Sequence, residues 1–294
     1  MMYFNKLKHK LIVAFRHEIG CIVSNKIREE ELKRDILYRN ERGVNDSMER
    51  TPLCISLTTY SKRIFDVALV VESLLHQTYK PNKIVLWLDE EEFNIDSVPI
   101  LLKKQIERGL EIKFCENLRS FKKIIPTLIN YPEYNIITVD DDVLYPEDFV
   151  EQLMNQFDKE QRCIYYFRGR FVGKTRKGYL PYSKWKMVSD TEEHMDVIPT
   201  GIGGVLYPKG CFDERVVDSN LFMKLCPKAD DIWLRVMTYL KGYPCKKVDM
   251  PGTFRENFVE ISRGQDIALS KNNFFENTND EQLKNVLDYF NLNL

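Results

Sequence analysis

The chain has 294 residues, with 43 Lys plus Arg against 44 Asp plus Glu for a formal net charge of −1, and it is 44% hydrophobic, 30% charged and 12% aromatic. This length suits one large domain or two modest ones, and the composition excludes collagen-like, low-complexity and wholly disordered chains. The charge balance argues against a protein that coats nucleic acid, whose surface would be distinctly basic.

The opening segment places Phe4, Leu7, Leu11, Phe15, Ile19 and Ile22 at helical spacing, with Lys6, Lys8, Lys10 and Arg16 ahead of the first acid, Glu18. Its apolar stretch from Leu11 to Phe15 is too short for a signal peptide or a membrane span. Two readings fit: a helix lying on an anionic membrane surface, or an amphipathic helix packed on the protein's own core. Residues 26–50 are dominated by charge and read as a solvated helix followed by a loop. The expected organisation is an N-terminal helical extension over 1–50, a catalytic domain over 51–260, and a connector with a short amphipathic helix over 261–294.

From Thr51 onward apolar runs alternate with helical spacing. Strands are predicted at Leu53 to Thr58, Ile84 to Leu88, Glu111 to Cys115 and Asn135 to Val139. Helices are predicted between them, at Ser61 to Gln77, Val98 to Glu107 and Phe121 to Asn130. This is the βαβ pattern of a parallel sheet flanked by helices, an α/β fold. Ligands of such sheets bind beyond the carboxyl ends of the strands, here Thr58-Thr59-Tyr60, Asp89-Glu90 and Asp140-Asp141-Asp142.

The acidic triplet follows a buried strand. Three adjacent carboxylates repel one another unless a cation neutralises them, and oxygen ligation suits Mn²⁺ or Mg²⁺. Asp140 and Asp142 point the same way if the extended geometry continues. A solvated turn leading into a helix is the plainer alternative. Taken with its surroundings, VDDDVLYP resembles the DxD motif of GT-A-fold glycosyltransferases that use nucleotide-sugars, family-2-like or exostosin-like. Ser56 to Tyr60 resembles their first-strand nucleotide contact, and Leu118 to Pro126 a donor-side segment of bacterial relatives. Pro199 to Val205 resembles the glycine-rich acceptor side, and Lys228 to Leu234 the acidic pair that opens a helix.

The resemblance covers about residues 51–250 and implies a GT-A, Rossmann-like, mostly parallel sheet. It implies metal-dependent transfer from a nucleotide-diphospho-sugar, expected to be a UDP-sugar, to a glycan or lipid-linked saccharide in bacterial surface-polysaccharide synthesis. Asp142 and Asp140 are the expected ligands of Mn²⁺ or Mg²⁺. Thr58, Thr59, Tyr60, Arg63, Asp89, Lys123, Asp140 and Asp141 are the expected nucleotide-sugar contacts, and Thr200, Gly201, Gly203, Gly204 and Trp233 the acceptor contacts. Of the acidic pair, Asp231 is taken as general base and Asp230 as its structural partner, with one carboxylate capping the helix. Arg255 and Arg263 are weaker candidates for holding the diphosphate. The expected location is cytoplasmic, at the inner face of the membrane.

Between Gln161 and Ser189 there is no acid, while Arg162, Arg168, Arg170, Lys174, Arg176, Lys177, Lys184 and Lys186 alternate with aromatic residues. Such a stretch suits phosphates and stacked sugars or bases, or forms a hairpin with a solvated basic face. Cys21, Cys54, Cys115, Cys163, Cys211, Cys226 and Cys245 form no CxxC pair and read as reduced, mostly buried thiols. His76 and His194 lack ligand-spaced partners. Two rival readings stand beside the transferase. One is a sugar-nucleotide nucleotidyltransferase, against which the glycine-free first loop LTTYSKRI counts. The other is a non-enzymatic carbohydrate- or nucleic-acid-binding module, which leaves both acidic clusters unexplained.

Overall fold

The computed structural model describes residues 2–47, 51–176, 178–261 and 278–294. Strand β1 (Leu53–Thr58) is mostly apolar and buried along its first five residues because both its faces are covered. Leu53, Ile55 and Leu57 enter one core cluster with Val67, Val71 and Leu74, whereas Cys54 joins Val85, Trp87, Tyr131 and Tyr134 on the other face. The Ser56 hydroxyl, also buried, meets Thr127 Oγ1 at 2.6 Å, and Trp87 Nε1 donates to the same oxygen at 2.7 Å. A buried polar group on the inner strand is thereby satisfied.

Seven further strands complete the sheet: β2 (Lys83–Asp89), β3 (Leu110–Cys115), β4 (Asn135–Thr138), β5 (Ile164–Tyr166), β6 (Glu193–His194), β7 (Val205–Tyr207) and β8 (Cys245–Lys247). The order is β6-β8-β5-β7-β4-β1-β2-β3. β1 pairs in parallel with β2 and β4, β2 with β3, and β8 with β5, whereas β7 runs antiparallel to both β4 and β5. The chain therefore winds outward through β2 and β3, then returns to place β4 on the opposite side of β1. That reversal opens a crevice between the carboxyl ends of β1 and β4, the position at which open α/β sheets take their ligands. The fold is a mostly parallel, Rossmann-like α/β sheet flanked by helices.

The helical expectations hold with two changes. The segment after β1 divides into a 3-10 turn, Ser61–Phe65, and α2 (Val67–Leu75). The segment after β3 and α3 (Ile100–Ile106) likewise divides into a 3-10 turn, Arg119–Lys123, and α4 (Ile125–Asn130). Pro126 explains the second break, because it has no N–H to donate and fits only the first turn of a helix. Downstream lie α5 (Phe149–Gln156), α6 (Ser219–Leu225), α7 (Asp230–Leu240) and α8 (Phe254–Asn257). The final helix α9 (Thr278–Phe290) buries Leu283, Val286 and Leu287 in the cluster that holds α7.

The N-terminal charged segment is not separate from the stripe before it. A single helix, α1 (Met2–Tyr38), spans 37 residues. Its second half packs on the domain through Leu32 and Ile36, and Arg28 donates to Tyr145 O. Phe15, Ile19 and Ile22 do not pack on the core, being 67%, 44% and 62% exposed. The side chains of Phe4, Leu7 and Leu11 lie outside the described residues. Domain boundaries at 50 and 260 border or approach segments that also lie outside them.

Behind α2 a buried ionic network ties the start of the domain together. Glu72, fully buried, accepts from Arg108 at 2.6 and 2.8 Å, from Gln105 at 2.8 Å, and pairs with His76 at 2.9 Å. Arg108 Nε in turn donates to Glu41 O at 2.9 Å, fixing the loop that follows α1. His76 is thus a satisfied core residue. All seven cysteines are free thiols, five of them buried. Removing one partner of a buried ion pair strands the other, so Glu72→Ala should destabilise the protein by about 3–5 kcal/mol, measured by urea unfolding. A loss below about 1 kcal/mol would show that the network is not structural.

Candidate functional site

The crevice at the ends of β1 and β4 widens into a cavity of about 920 Å³. Thr58, Thr59, Tyr60, Arg63, Asp89, Lys123, Asp140, Asp141, Asp142, Thr200, Gly201, Asp230 and Asp231 all line it. Sequence positions spread from β1 to α7 thus meet at one place. Thr58 contributes backbone and little else, since its hydroxyl donates to Trp87 O at 2.8 Å. Asp89 is buried and faces Lys122 at 3.6 Å.

The acidic triplet forms a turn rather than an extension of β4, so the alternation expected of Asp140 and Asp142 is lost. Each acid instead finds its own partner. Arg63 pairs with Asp141 at 2.9 Å and with Asp142, and Thr59 Oγ1 donates to Asp141 at 2.6 Å. Lys123 Nζ sits between Asp140 at 3.3 Å and Asp230 at 2.7 Å. The Asp140 N–H donates to the Tyr145 hydroxyl at 2.9 Å, and Ile261 N–H to Asp142 O at 2.7 Å, which pins the turn at both ends. The protein's own Arg63 and Lys123 therefore supply much of the neutralisation that sequence reasoning assigned to a metal alone.

Those two cations do not match the acids around them. Burial pushes the Asp141 carboxyl up to about 7, with Arg63 opposing and Asp142 and Asp140 adding to it. Asp142 is likewise raised, by burial first, then by Asp140, against Arg63. Burial works against the charge of Lys123, but Asp230, Asp140 and Asp231 outweigh it and hold its pKa well above the usual lysine value. Asp140 and Asp142 keep 29% and 20% of their side chains exposed. Among the described residues no third His, Cys, Asp or Glu converges with these two. Hard oxygen donors, excess negative charge and too few protein ligands for a closed cage fit a dication shared with substrate phosphates, the habit of Mg²⁺ and Mn²⁺.

Beside the triplet, and joined to it through Lys123, neither member of the acidic pair caps α7 by a side-chain hydrogen bond. Asp230 is committed to Lys123. Asp231 accepts the Gly201 N–H through Oδ2 at 3.1 Å, and burial pushes its carboxyl up to about 7, with Lys123 opposing. Gly201 has a spatial reason to be glycine: a Cβ there would lie 2.9 Å from Asp140 Oδ1 and 3.0 Å from Lys123 Nζ. The main chain rides directly over that ion pair and so reaches Asp231.

Three expected acceptor contacts lie elsewhere. Trp233 is fully buried and its indole N–H donates to Val216 O at 3.0 Å, so its ring serves the core around Phe222. Gly203 and Gly204 do not line the cavity. Their missing side chains make room for Phe254 and Phe149, with a φ of +77° at Gly204 adding a conformation that suits glycine. Arg255 is exposed and off the cavity, and Arg263 lies outside the described residues.

The cavity also recruits residues that spacing alone did not single out. Glu260 lines it because Val259–Glu260 pairs with Val143–Leu144 directly after the triplet. Arg168, Arg170 and Tyr182 come from the acid-free stretch whose alternation of bases and aromatic residues suited phosphates and stacking, although nothing there separated these three from their neighbours.

No protein-family model matches the chain, and no curated protein matches it. Solved structures similar to it at low identity include the following three. A mannosyltransferase from Pyrobaculum calidifontis, in complex with GDP-Man and Mn²⁺, shares 13% identity at a TM-score of 0.34 over 50% of this chain. The alignment spans 44% of that protein, less than half its length. The inositol-1-phosphate CTP transferase of T. maritima shares 10% identity at a TM-score of 0.43, covering 79% of this chain and 97% of that one. A CMP:2-keto-3-deoxy-manno-octonic acid synthetase complexed with CTP shares 12% at 0.36, covering 70% and 93%.

The raised carboxyl of Asp231 has a measurable consequence. Because its folded pKa exceeds the unfolded one, its protonated form favours folding and that contribution fades as pH climbs from about 4 through about 7. Asp231→Asn should therefore gain melting temperature relative to wild type on going from pH 5 to pH 8. A pH-independent difference would contradict the buried, costly charge.

Proposed function

We propose that the protein is a metal-dependent glycosyltransferase that moves a sugar from a nucleotide-diphospho-sugar, a UDP-sugar in the first instance, to a glycan or lipid-linked saccharide. The observation that carries this reading is one cavity holding two acidic groups bridged by Lys123, Asp140–Asp142 at the β1/β4 crevice and Asp230–Asp231 at the start of α7. One group suits the donor's diphosphate and the other an attacking hydroxyl.

Asp142 and Asp140 would hold Mn²⁺ or Mg²⁺, whose charge offsets the negative charge that grows on a departing diphosphate. Arg63 and Thr59 fix the triplet's second and third carboxylates, so the donor meets a preset surface. Tyr60, Asp89 and the β1 turn offer the nucleoside its contacts. Beyond the Lys123 bridge Asp231 accepts the proton of the acceptor hydroxyl through its carboxylate, oriented by the Gly201 N–H. Lys123 positions Asp230 and Asp140 together and so fixes the separation of the two acidic groups. Thr200 and Gly201 border the acceptor's place.

A nucleotidyltransferase remains the rival activity. It needs a basic residue free to hold a triphosphate in the loop after β1, and Arg63 there is committed to Asp141 and Asp142. Release of pyrophosphate from a nucleoside triphosphate and a sugar phosphate, with no turnover of any nucleotide-sugar, would decide for the rival.

The same reading puts the enzyme at an anionic membrane surface, on its cytoplasmic side. Among the described residues no helix is long and apolar enough to cross a membrane. Ile12, Phe15, Ile19, Ile22 and Val23 nevertheless form an exposed apolar strip on α1, whose other side carries the Leu32 and Ile36 anchors. Glu18 is the only acid among residues 2–27, which hold Lys6, Lys8, Lys10, Arg16 and Lys26. An apolar strip with basic flanks suits an anionic bilayer better than a second copy of the same basic helix.

Two outcomes test the proposal. With a screened donor and Mn²⁺, Asp231→Asn should lower kcat by about 10²–10⁴-fold while nucleotide affinity stays within twofold. Retained turnover would remove Asp231 as base. In vesicle sedimentation, wild type should bind vesicles containing phosphatidylglycerol and not pure phosphatidylcholine, and Phe15→Asp with Ile19→Asp should abolish that binding. Equal binding by the variant would refute the membrane role of the strip.

A further inference from the structure

Seven cations line the cavity; Arg119 and Lys228 are exposed, and the five withdrawn from water fall into two classes. Arg63, Lys122 and Lys123 are each paired with carboxylates. Arg168 and Arg170 line the same cavity, and among the described residues neither forms an ion pair. They stand two residues apart at the strand Gly169–Phe171, which brings both side chains to one face. Arg168 Nη1 reaches only Thr200 Oγ1, at 3.3 Å, with its guanidinium 5.8 Å from the centre of the Phe254 ring. Arg170 Nη1 donates to Trp185 O at 3.0 Å and its guanidinium lies over the Tyr182 ring at 5.3 Å.

Two neighbouring guanidinium groups, partly withdrawn from water and with no carboxylate between them, make an unfavourable arrangement in the free protein. Burial, followed by the charge of Arg170, pushes the pKa of Arg168 down, and the more distant Tyr182, Glu260 and Asp231 oppose this without outweighing it. Such a pair is stabilised by an oxyanion that accepts from both forks. Position decides which substrate brings it. Arg168 is bonded to Thr200, the residue before Gly201, and Gly201 is the donor to Asp231. The pair therefore lies beside Asp231, while Arg63 is committed to the triplet.

We propose that Arg168 and Arg170, backed by the Tyr182 ring, form a binding site for an anionic group, phosphate or carboxylate, carried by the acceptor. This extends the glycosyltransferase reading and rests on it for the word acceptor. The anion site itself rests on the arginine pair alone. Its consequence is specificity: a neutral saccharide leaves both charges uncompensated, whereas an acceptor bearing a phosphate or an acidic sugar fills the site and holds its hydroxyl near Asp231.

The test uses the full chain and two probes, inorganic phosphate and Mg²⁺-UDP, with Mg²⁺-GDP in parallel, titrated by calorimetry. Phosphate should bind wild type equally well with and without saturating nucleotide. Arg168→Gln and Arg170→Gln should each weaken phosphate by about tenfold or more, while nucleotide affinity stays within twofold. Arg170→Lys, which keeps the charge but not the fork, should fall between, and circular dichroism checks that each variant folds. The proposal is overturned if wild type binds no phosphate or if both Gln variants bind it unchanged. It is also overturned if nucleotide displaces phosphate and the variants lose nucleotide affinity, since the pair would then clamp the donor's diphosphate. A wild type that binds phosphate but neither nucleotide supports the anion site and instead counts against the donor reading.

Discussion

Carboxylates gathered at the end of a buried strand survive only where cations reach them, and the neutralisation of Asp140, Asp141, Asp142 and Asp230 by Arg63 and Lys123 governs the rest of the site. Both cations are nearly enclosed, with side chains 8% exposed, so the pairs are held by protein rather than screened by water. The bridge from Lys123 to Asp140 and Asp230 joins the end of β4 to the start of α7. Without it, the triplet and the acidic pair of α7 would have no fixed separation. Gly201 completes the arrangement, because only a residue without Cβ lets the main chain cross above that bridge.

The fold delivers these cations by the same local device used twice. After β1 the chain takes a positive φ of 51° at Ser61 and enters a short 3-10 turn that carries Arg63. After β3 it takes a φ of 53° at Arg119 and enters a second 3-10 turn that carries Lys122 and Lys123. Each turn points its bases back across the carboxyl ends of the parallel strands, which is where the topological reversal between β1 and β4 leaves room. The acid excess that remains after both turns is what a dication and a diphosphate together would balance.

Much of this was legible from the chain. The parallel strands show as unbroken apolar runs because they are covered on both faces, and the acidic triplet shows because it directly follows one of them. The start of α7 was legible as an acidic pair ahead of a buried helical face. What spacing could not show is which charges meet, since Lys123 lies 17 residues from Asp140 and on a different element from Asp230. Trp233 and the glycines at 203 and 204 were misleading for a related reason. A large aromatic beside an acidic pair, or a glycine cluster, looks the same in sequence whether it faces a ligand or fills the core. Likewise the α1 stripe shows amphipathicity but not what it faces, and the structure leaves Phe15, Ile19 and Ile22 exposed.

The central claim is that Asp142, with Asp140, turns metal binding into nucleotide binding in the β1/β4 crevice. Calorimetric titration of wild type and Asp142→Asn with UDP and GDP, each with and without Mn²⁺, tests it most directly. The account predicts that wild type binds one of these nucleotides tightly only with Mn²⁺, and that Asp142→Asn removes the metal-dependent gain while remaining folded. Metal-independent binding of equal strength in both proteins, or an undiminished Mn²⁺ effect in Asp142→Asn, would contradict it.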